Sequence, residues 1–277
     1  MGGHGLYLQP RDMAKIGYLY LRDGKWEGKQ LLPDPWIDKV KHATIDMHLG
    51  GGLRYSNCFW ALPEKHVYMA DGYQGQLIMI FPDLDVVVVT TGRNNFSLNE
   101  FADLISGSVK SDTSLPADAA GAKLLENKLL EASTEKPTPV GPTSKLAGTI
   151  SEKVYRFLPN RIQVKSVSLT LTDPRPRYDI ELYPIHPTEP APRSAGPIGL
   201  DGRYEKGEPT YIQWLGIRAV NAVKGTWLND DTFVVKRLIL EQGLAQLWTF
   251  TFDGDRLNLR VTLPDASEIS IDGKTGG

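Results

Sequence analysis

Apolar positions recur first at helical and then at strand spacing along the chain, and each change marks a new element. After Pro10, the residues Met13, Ile16, Gly17, Leu19 and Tyr20 lie opposite Arg11, Asp12, Lys15 and Arg22 until Asp23-Gly24 breaks the pattern, which predicts an amphipathic helix. A shorter helix is predicted from Pro33 through Trp36, Ile37 and Val40, since proline fits a first turn. From Asn57 the apolar runs shorten: Cys58 to Leu62, Val67 to Met69, Gln76 to Phe81 and Asp85 to Thr91, each bounded by turn residues, read as strands of an antiparallel sheet. The unbroken run Val86 to Val89 predicts a central strand covered on both faces. Helical spacing returns over Leu98 to Val109, with Phe101, Leu104 and Ile105 on one side. Helices before and after a meander make an α+β layer arrangement for residues 1–110.

Residues 111–145 read as a linker, rich in Ser, Thr, Pro, Ala and Lys, with one helical patch around Leu124, Leu125, Leu129 and Leu130. Over 146–277 short strands are predicted at Arg161 to Leu171, Tyr178 to Tyr183, Tyr211 to Leu215, Thr232 to Leu240, Ala245 to Phe252, Arg256 to Leu263 and Glu268 to Ile271. Turn chemistry is read at Asp201-Gly202, Asn229-Asp230, Asp253-Gly254 and Asp272-Gly273. Many short strands without helices imply a small all-β barrel or sandwich.

Composition narrows the partners. The 277 residues hold 41% hydrophobic positions, enough for two cores, and the formal charge of -2 is spread without a basic stripe, which argues against nucleic acid. The single cysteine, Cys58, has apolar neighbours and reads as a buried structural residue. No apolar run is long enough for a membrane span, and Gly2-Gly3-His4-Gly5 does not resemble a signal peptide.

Three segments of the first hundred residues resemble the β-lactamase-related family of serine hydrolases, which includes class C β-lactamases, penicillin-binding DD-peptidases and esterases. They are Gly2 to Gly17, with a glycine-rich turn before an Arg-Asp-Met-Ala helix start; Gly24 to Pro33 with Trp36; and Gly72-Tyr73-Gln74-Gly75-Gln76 through Phe81-Pro82-Asp83-Leu84-Asp85 into Val86 to Thr90. Leu146 to Thr149, Gly225 to Leu228 and Phe250 to Asp255 resemble the lipocalin-like barrel that often follows such domains. The resemblance implies the C-terminal part of the hydrolase domain followed by a lipocalin-like barrel. It also implies acyl transfer to a small-molecule ester, amide or β-lactam without a cofactor, and a family that is usually periplasmic or secreted.

That chemistry needs a serine with a nearby base and backbone N–H groups at the oxyanion. Family members carry S-x-x-K, then Y-x-N or S-x-N, then K-T-G or H-x-G. Here the strings fall in another order, as Tyr55-Ser56-Asn57, Ser133-Thr134-Glu135-Lys136 and Lys274-Thr275-Gly276, and they read as chance matches, with Tyr55 just before a strand and Lys274 after the last one. The segment carrying the nucleophile is therefore expected to be missing. The stretch matching the third motif offers Asp71, Tyr73 and, by its place near the family site, His4 as catalytic candidates. Gln74, Gly75 and Gln76 are the substrate-binding candidates. His42, His48, His66 and His186 lack metal-ligand spacing, so no metal is expected. Two alternatives stand beside the hydrolase. One is a ligand- or partner-binding module using the barrel, where Trp214, Trp227 and Trp248 either bind or fill the core. The other is a glycosidase using carboxylates among Asp71, Glu64, Asp83 and Asp85. A partial sheet predicts a homo-oligomer or pairing with a complementing N-terminal segment.

Overall fold

The computed structural model describes residues 6–73, 75–92, 96–184, 190–212 and 216–276, which divide into a unit ending at Asp118 and a second beginning at Ala119. The chain is mixed α+β and mostly β.

The first unit runs α1 (Pro10–Leu21), β1 (Lys25–Trp26), β2 (Lys29–Gln30), α2 (Asp34–Lys41), β3 (Ile45–Asp46), β4 (Arg54–Ser56), β5 (Phe59–Leu62), β6 (Val67–Gly72), β7 (Gln76–Phe81), β8 (Val86–Thr90) and α3 (Leu98–Ser108). Strands β3 to β8 form one antiparallel sheet in chain order. Its alternating faces bury two separate cores. Tyr20, Ile37 and Val40 of α1 and α2 pack with Phe59, Ala61, Tyr68 and Ile80, while Ala102 of α3 packs with Leu62, Met69, Leu77 and Met79.

Helix α1 lies so close to the sheet that a Cβ on Gly17 would fall 2.4 Å from a methyl of Val87 and 2.8 Å from one of Ile78. Gly17→Ala should therefore destabilise this unit. The helix-propensity gain of about 1 kcal/mol is outweighed by an overpacking cost of roughly 1–3 kcal/mol, and a lowered urea midpoint would show it.

Three expectations need correction here. The run Val86 to Val89 is apolar on both faces, Val87 toward α1 and Val86 and Val88 toward the α3 side, yet β8 is the outer strand of the sheet and not a central one. Cys58 is exposed, not buried: Asn57 and Cys58 take φ of 49° and 67° as the two-residue turn joining β4 to β5, so Cys58 leaves the strand its neighbours suggested. Tyr55 lies within β4 and stacks edge-on against Trp60 at 5.0 Å.

The second unit runs α4 (Ala119–Ser133), α5 (Leu146–Ile150), β9 (Val154–Phe157), β10 (Val164–Thr170), β11 (Arg177–Leu182), β12 (Arg193–Pro197), β13 (Glu205–Lys206), β14 (Thr210–Ile212), β15 (Ile217–Ala219), β16 (Asn221–Trp227), β17 (Thr232–Ile239), β18 (Leu244–Asp253), β19 (Arg256–Thr262) and β20 (Glu268–Thr275). Ten strands form one antiparallel sheet in the order β12-β11-β10-β9-β20-β19-β18-β17-β16-β13. Gly199, just past β12, donates to Val223 O at 3.0 Å and accepts from Gly225 N at 2.9 Å, so the sheet curls until its ends nearly meet. Inside lie Tyr155, Phe157, Tyr178, Trp227, Phe233, Trp248, Phe250 and Phe252 with aliphatic neighbours; Trp227 and Trp248 belong to this core.

Lys274 sits inside β20 opposite Arg256 and Arg156, and the expected turn at Asp272-Gly273 is extended strand. Glycine is needed there because a Cβ would lie 2.7 Å from the Phe157 ring. Of the stretch read as linker, the part from Glu135 to Ser144 is fastened to the outside of the barrel. Glu135 accepts from Tyr204 N at 3.0 Å and pairs with Lys224 at 3.1 Å, Gly141 N donates to Thr226 Oγ1 at 2.8 Å, and Ser144 Oγ donates to Asp230 O at 2.6 Å.

Candidate functional site

The β6–β7 hairpin carries most of the candidate residues named from sequence. Gly72 pairs with Gln76 across a three-residue connection, and Gly75 takes the left-handed φ of 80° that such a loop requires. Tyr73 projects from this loop and is 83% exposed. Asp71 lies two residues back in β6, half-buried opposite Leu77, and burial raises its carboxyl above the ordinary value. Gln76 is held from both ends of its amide: Nε2 donates to Gly92 O at 2.6 Å, and Oε1 accepts from Gly92 N at 3.2 Å. Thr90 Oγ1 donates to Gly75 O at 2.8 Å, so the hairpin is tied to the end of β8. His4 and Gln74 lie outside the described residues.

The raised Asp71 carboxyl has a consequence for stability. The native state holds this proton more tightly than the unfolded chain, so the carboxylate costs nothing below the ordinary Asp range and costs most above its raised native value. Asp71→Asn should therefore raise the urea midpoint at pH 7 and lose that advantage below about pH 4, modestly because the group is only half-buried. A variant equally stabilising at both pH values would contradict the assignment.

The three motif look-alikes do not assemble a site. Ser133 ends α4, where its hydroxyl donates to Leu130 O at 3.0 Å, and Lys136 pairs with Glu131 at 2.6 Å and not with Ser133. Among the described residues no serine or threonine hydroxyl is hydrogen-bonded to a lysine or histidine. Of the other carboxylates weighed for glycosidic chemistry, Asp85 pairs with Arg22 at 2.9 Å and Asp83 with His66 at 2.9 Å. His42 pairs with Asp38 at 2.9 Å and His48 with Asp46 at 3.5 Å, each an exposed pair, and no cluster of three metal-binding side chains occurs among the described residues. Among the described residues no helix is long and apolar enough to cross a membrane.

A cavity of about 450 Å³ opens in the second unit between the Pro142 to Leu146 segment and the Leu228 to Asp231 turn. Its most buried hydroxyl, Ser144, is already spent on Asp230 O and on the Leu146 N–H it accepts.

One feature of the barrel was not singled out from sequence. Arg237 lies in β17, 5% exposed and hydrogen-bonded to the neutral side chains of Asn221, Gln246 and Ser194. The signal was present, because Phe233, Val235, Arg237 and Ile239 alternate along the strand, and a period of two turns all of them inward. Compared with known proteins, the sequence matches no family model and no curated protein.

Proposed function

We propose that the first unit is part of a β-lactamase-related acyl-transfer hydrolase, inactive by itself, whose sheet is completed along β8 by a further strand. The observation that carries this reading is the edge itself. Val86 to Thr90 is a β-branched strand, paired on one side with β7 and carrying none of the lysines, prolines or bulges that keep exposed edges apart. The segment supplying the strand is the one that brings the nucleophile, and the β6–β7 hairpin then borders the completed site, with Asp71 and Tyr73 facing substrate. The second unit is a lipocalin-like barrel attached to it.

Without its complement, the edge recruits another copy. Light scattering of the purified chain should give a mass that rises with concentration. A monodisperse monomer at high concentration would count against strand pairing.

A further inference from the structure

Helix α4 buries none of its 15 residues, and its leucines Leu124, Leu125, Leu129 and Leu130 are 60%, 60%, 62% and 66% exposed. A helix of this length is marginal in water by itself. Two short-range ion pairs within it, Lys123 with Glu126 at 2.6 Å and Lys128 with Glu131 at 3.1 Å, support it only slightly. Most helical stability comes from packing an apolar face, and exposed leucines in this number mark a contact surface.

Spacing defines the surface. Ala122, Leu125, Leu129 and Ala132 follow one another at intervals of three, four and three, the a and d positions of a coiled coil, and form one narrow stripe. Leu125 and Leu129 stand at its middle, and the alanines at its ends let a second backbone come close. Beside the stripe, Glu126 holds one flank at e and Lys128 the other at g, while Asn127 lies on the opposite side of the helix.

The charges select the occupant. Lys123 and Lys128 balance Glu126 and Glu131, so the helix offers no excess charge to an anionic lipid surface. In a parallel pair of these helices, e of one shares a flank with g of the other, and each flank joins Glu126 to Lys128 of the second copy. An antiparallel pair with the same leucines in contact sets e beside e and g beside g, so that glutamate meets glutamate and lysine meets lysine. The stripe therefore complements itself in one direction only.

We propose that α4 is a self-association surface whose partner is α4 of a second copy of this chain, packed parallel about a two-fold axis with Leu125 and Leu129 each against its own counterpart. Two leucine layers closed by alanines make a small contact, so the pairing is weak and depends on concentration.

Disulfide formation in the full chain tests this, with Cys58→Ser in every variant because Cys58 is exposed. Leu125→Cys and Leu129→Cys should each give a disulfide-linked dimer in a glutathione redox buffer, whereas Asn127→Cys, on the far side, should stay monomeric. When the two leucine variants are mixed before oxidation, homodimers should predominate. Glu126→Lys in the Leu125→Cys chain places lysine on both flanks and should slow cross-linking about tenfold at low salt, and adding Lys128→Glu should restore the rate. The read-out is confined to α4, so it neither needs nor tests pairing along β8. An excess of mixed dimers would show antiparallel packing, equal cross-linking at positions 125 and 127 would show random collision, and no cross-linking at either leucine would leave the stripe to a different partner; each of these overturns the proposal.

Discussion

No turnover of nitrocefin or short p-nitrophenyl esters above the uncatalysed rate is expected from the purified 277-residue chain. The magnitude at stake is large, since removing the nucleophile of a serine hydrolase costs about 10⁶ in turnover. The Ser133 hydroxyl is bonded to the helix carbonyl one turn back, and the nearby Lys136 is neutralised by Glu131, so no base stands ready to take the serine proton. Ser133→Ala, Tyr55→Phe and Lys274→Ala should therefore leave the baseline unchanged. Turnover abolished by Ser133→Ala would overturn the reading of these strings as chance matches; turnover lost only with Asp71→Asn or Tyr73→Phe would place working chemistry on the β6–β7 hairpin of this chain alone.

Phe250→Ala should cost the second unit about 3–5 kcal/mol, the range for deleting a fully buried aromatic side chain. Phe250 is 0% exposed and stands opposite Phe233 in β17 and Leu259 in β19, three inward positions on adjacent strands, so the hole cannot be filled from solvent. Against a domain stability of about 5–15 kcal/mol, such a loss moves the urea transition far down or abolishes it. The opposite defect is available in the same wall: a Cβ on Gly225 would fall 2.4 Å from Phe233, so Gly225→Ala should also destabilise, by overpacking. A midpoint within error of the parent for Phe250→Ala would contradict the placement of this residue at the centre of the barrel.

What could be read in advance follows from periodicity. Helices α1, α2 and α3 keep a helical period, and strands β5 to β8 keep the short apolar runs bounded by turn residues that mark strands. Strand β16 does not. Its outward Lys224 is covered by Glu135 and by the Tyr204 ring at 4.2 Å, so both faces are enclosed and no alternation marks it. Short strands such as β13 and β15 carry too few residues to show a pattern at all. Cys58 reads as strand because Phe59 and Trp60 follow it, yet a two-residue turn needs positive φ at both positions, which Asn57 favours and Cys58 adopts at a cost.

The site was less legible than the fold. Asp71, Tyr73 and the Gln74 to Gln76 stretch were placed by resemblance, and Gln76 turned out to have both amide atoms bound to the Gly92 backbone, which no linear pattern encodes. Arg237 shows the reverse case: its inward position follows from the alternation of β17, but which side chains meet it, neutral ones from Asn221, Gln246 and Ser194, depends on which strands neighbour it, and that is set by the order of the whole sheet.

Hydrogen exchange along β8, measured by NMR at low and at high protein concentration, tests the open edge most directly. In an antiparallel pair the amides of Val86 to Thr90 alternate between β7 and the outside. Those facing outward should exchange rapidly in dilute protein and gain protection as the chain associates, while those facing β7 stay protected throughout. Outward amides that are protected equally at every concentration, in a chain that remains monomeric, would show that the edge is already covered and would contradict its role as the seat of a complementing strand.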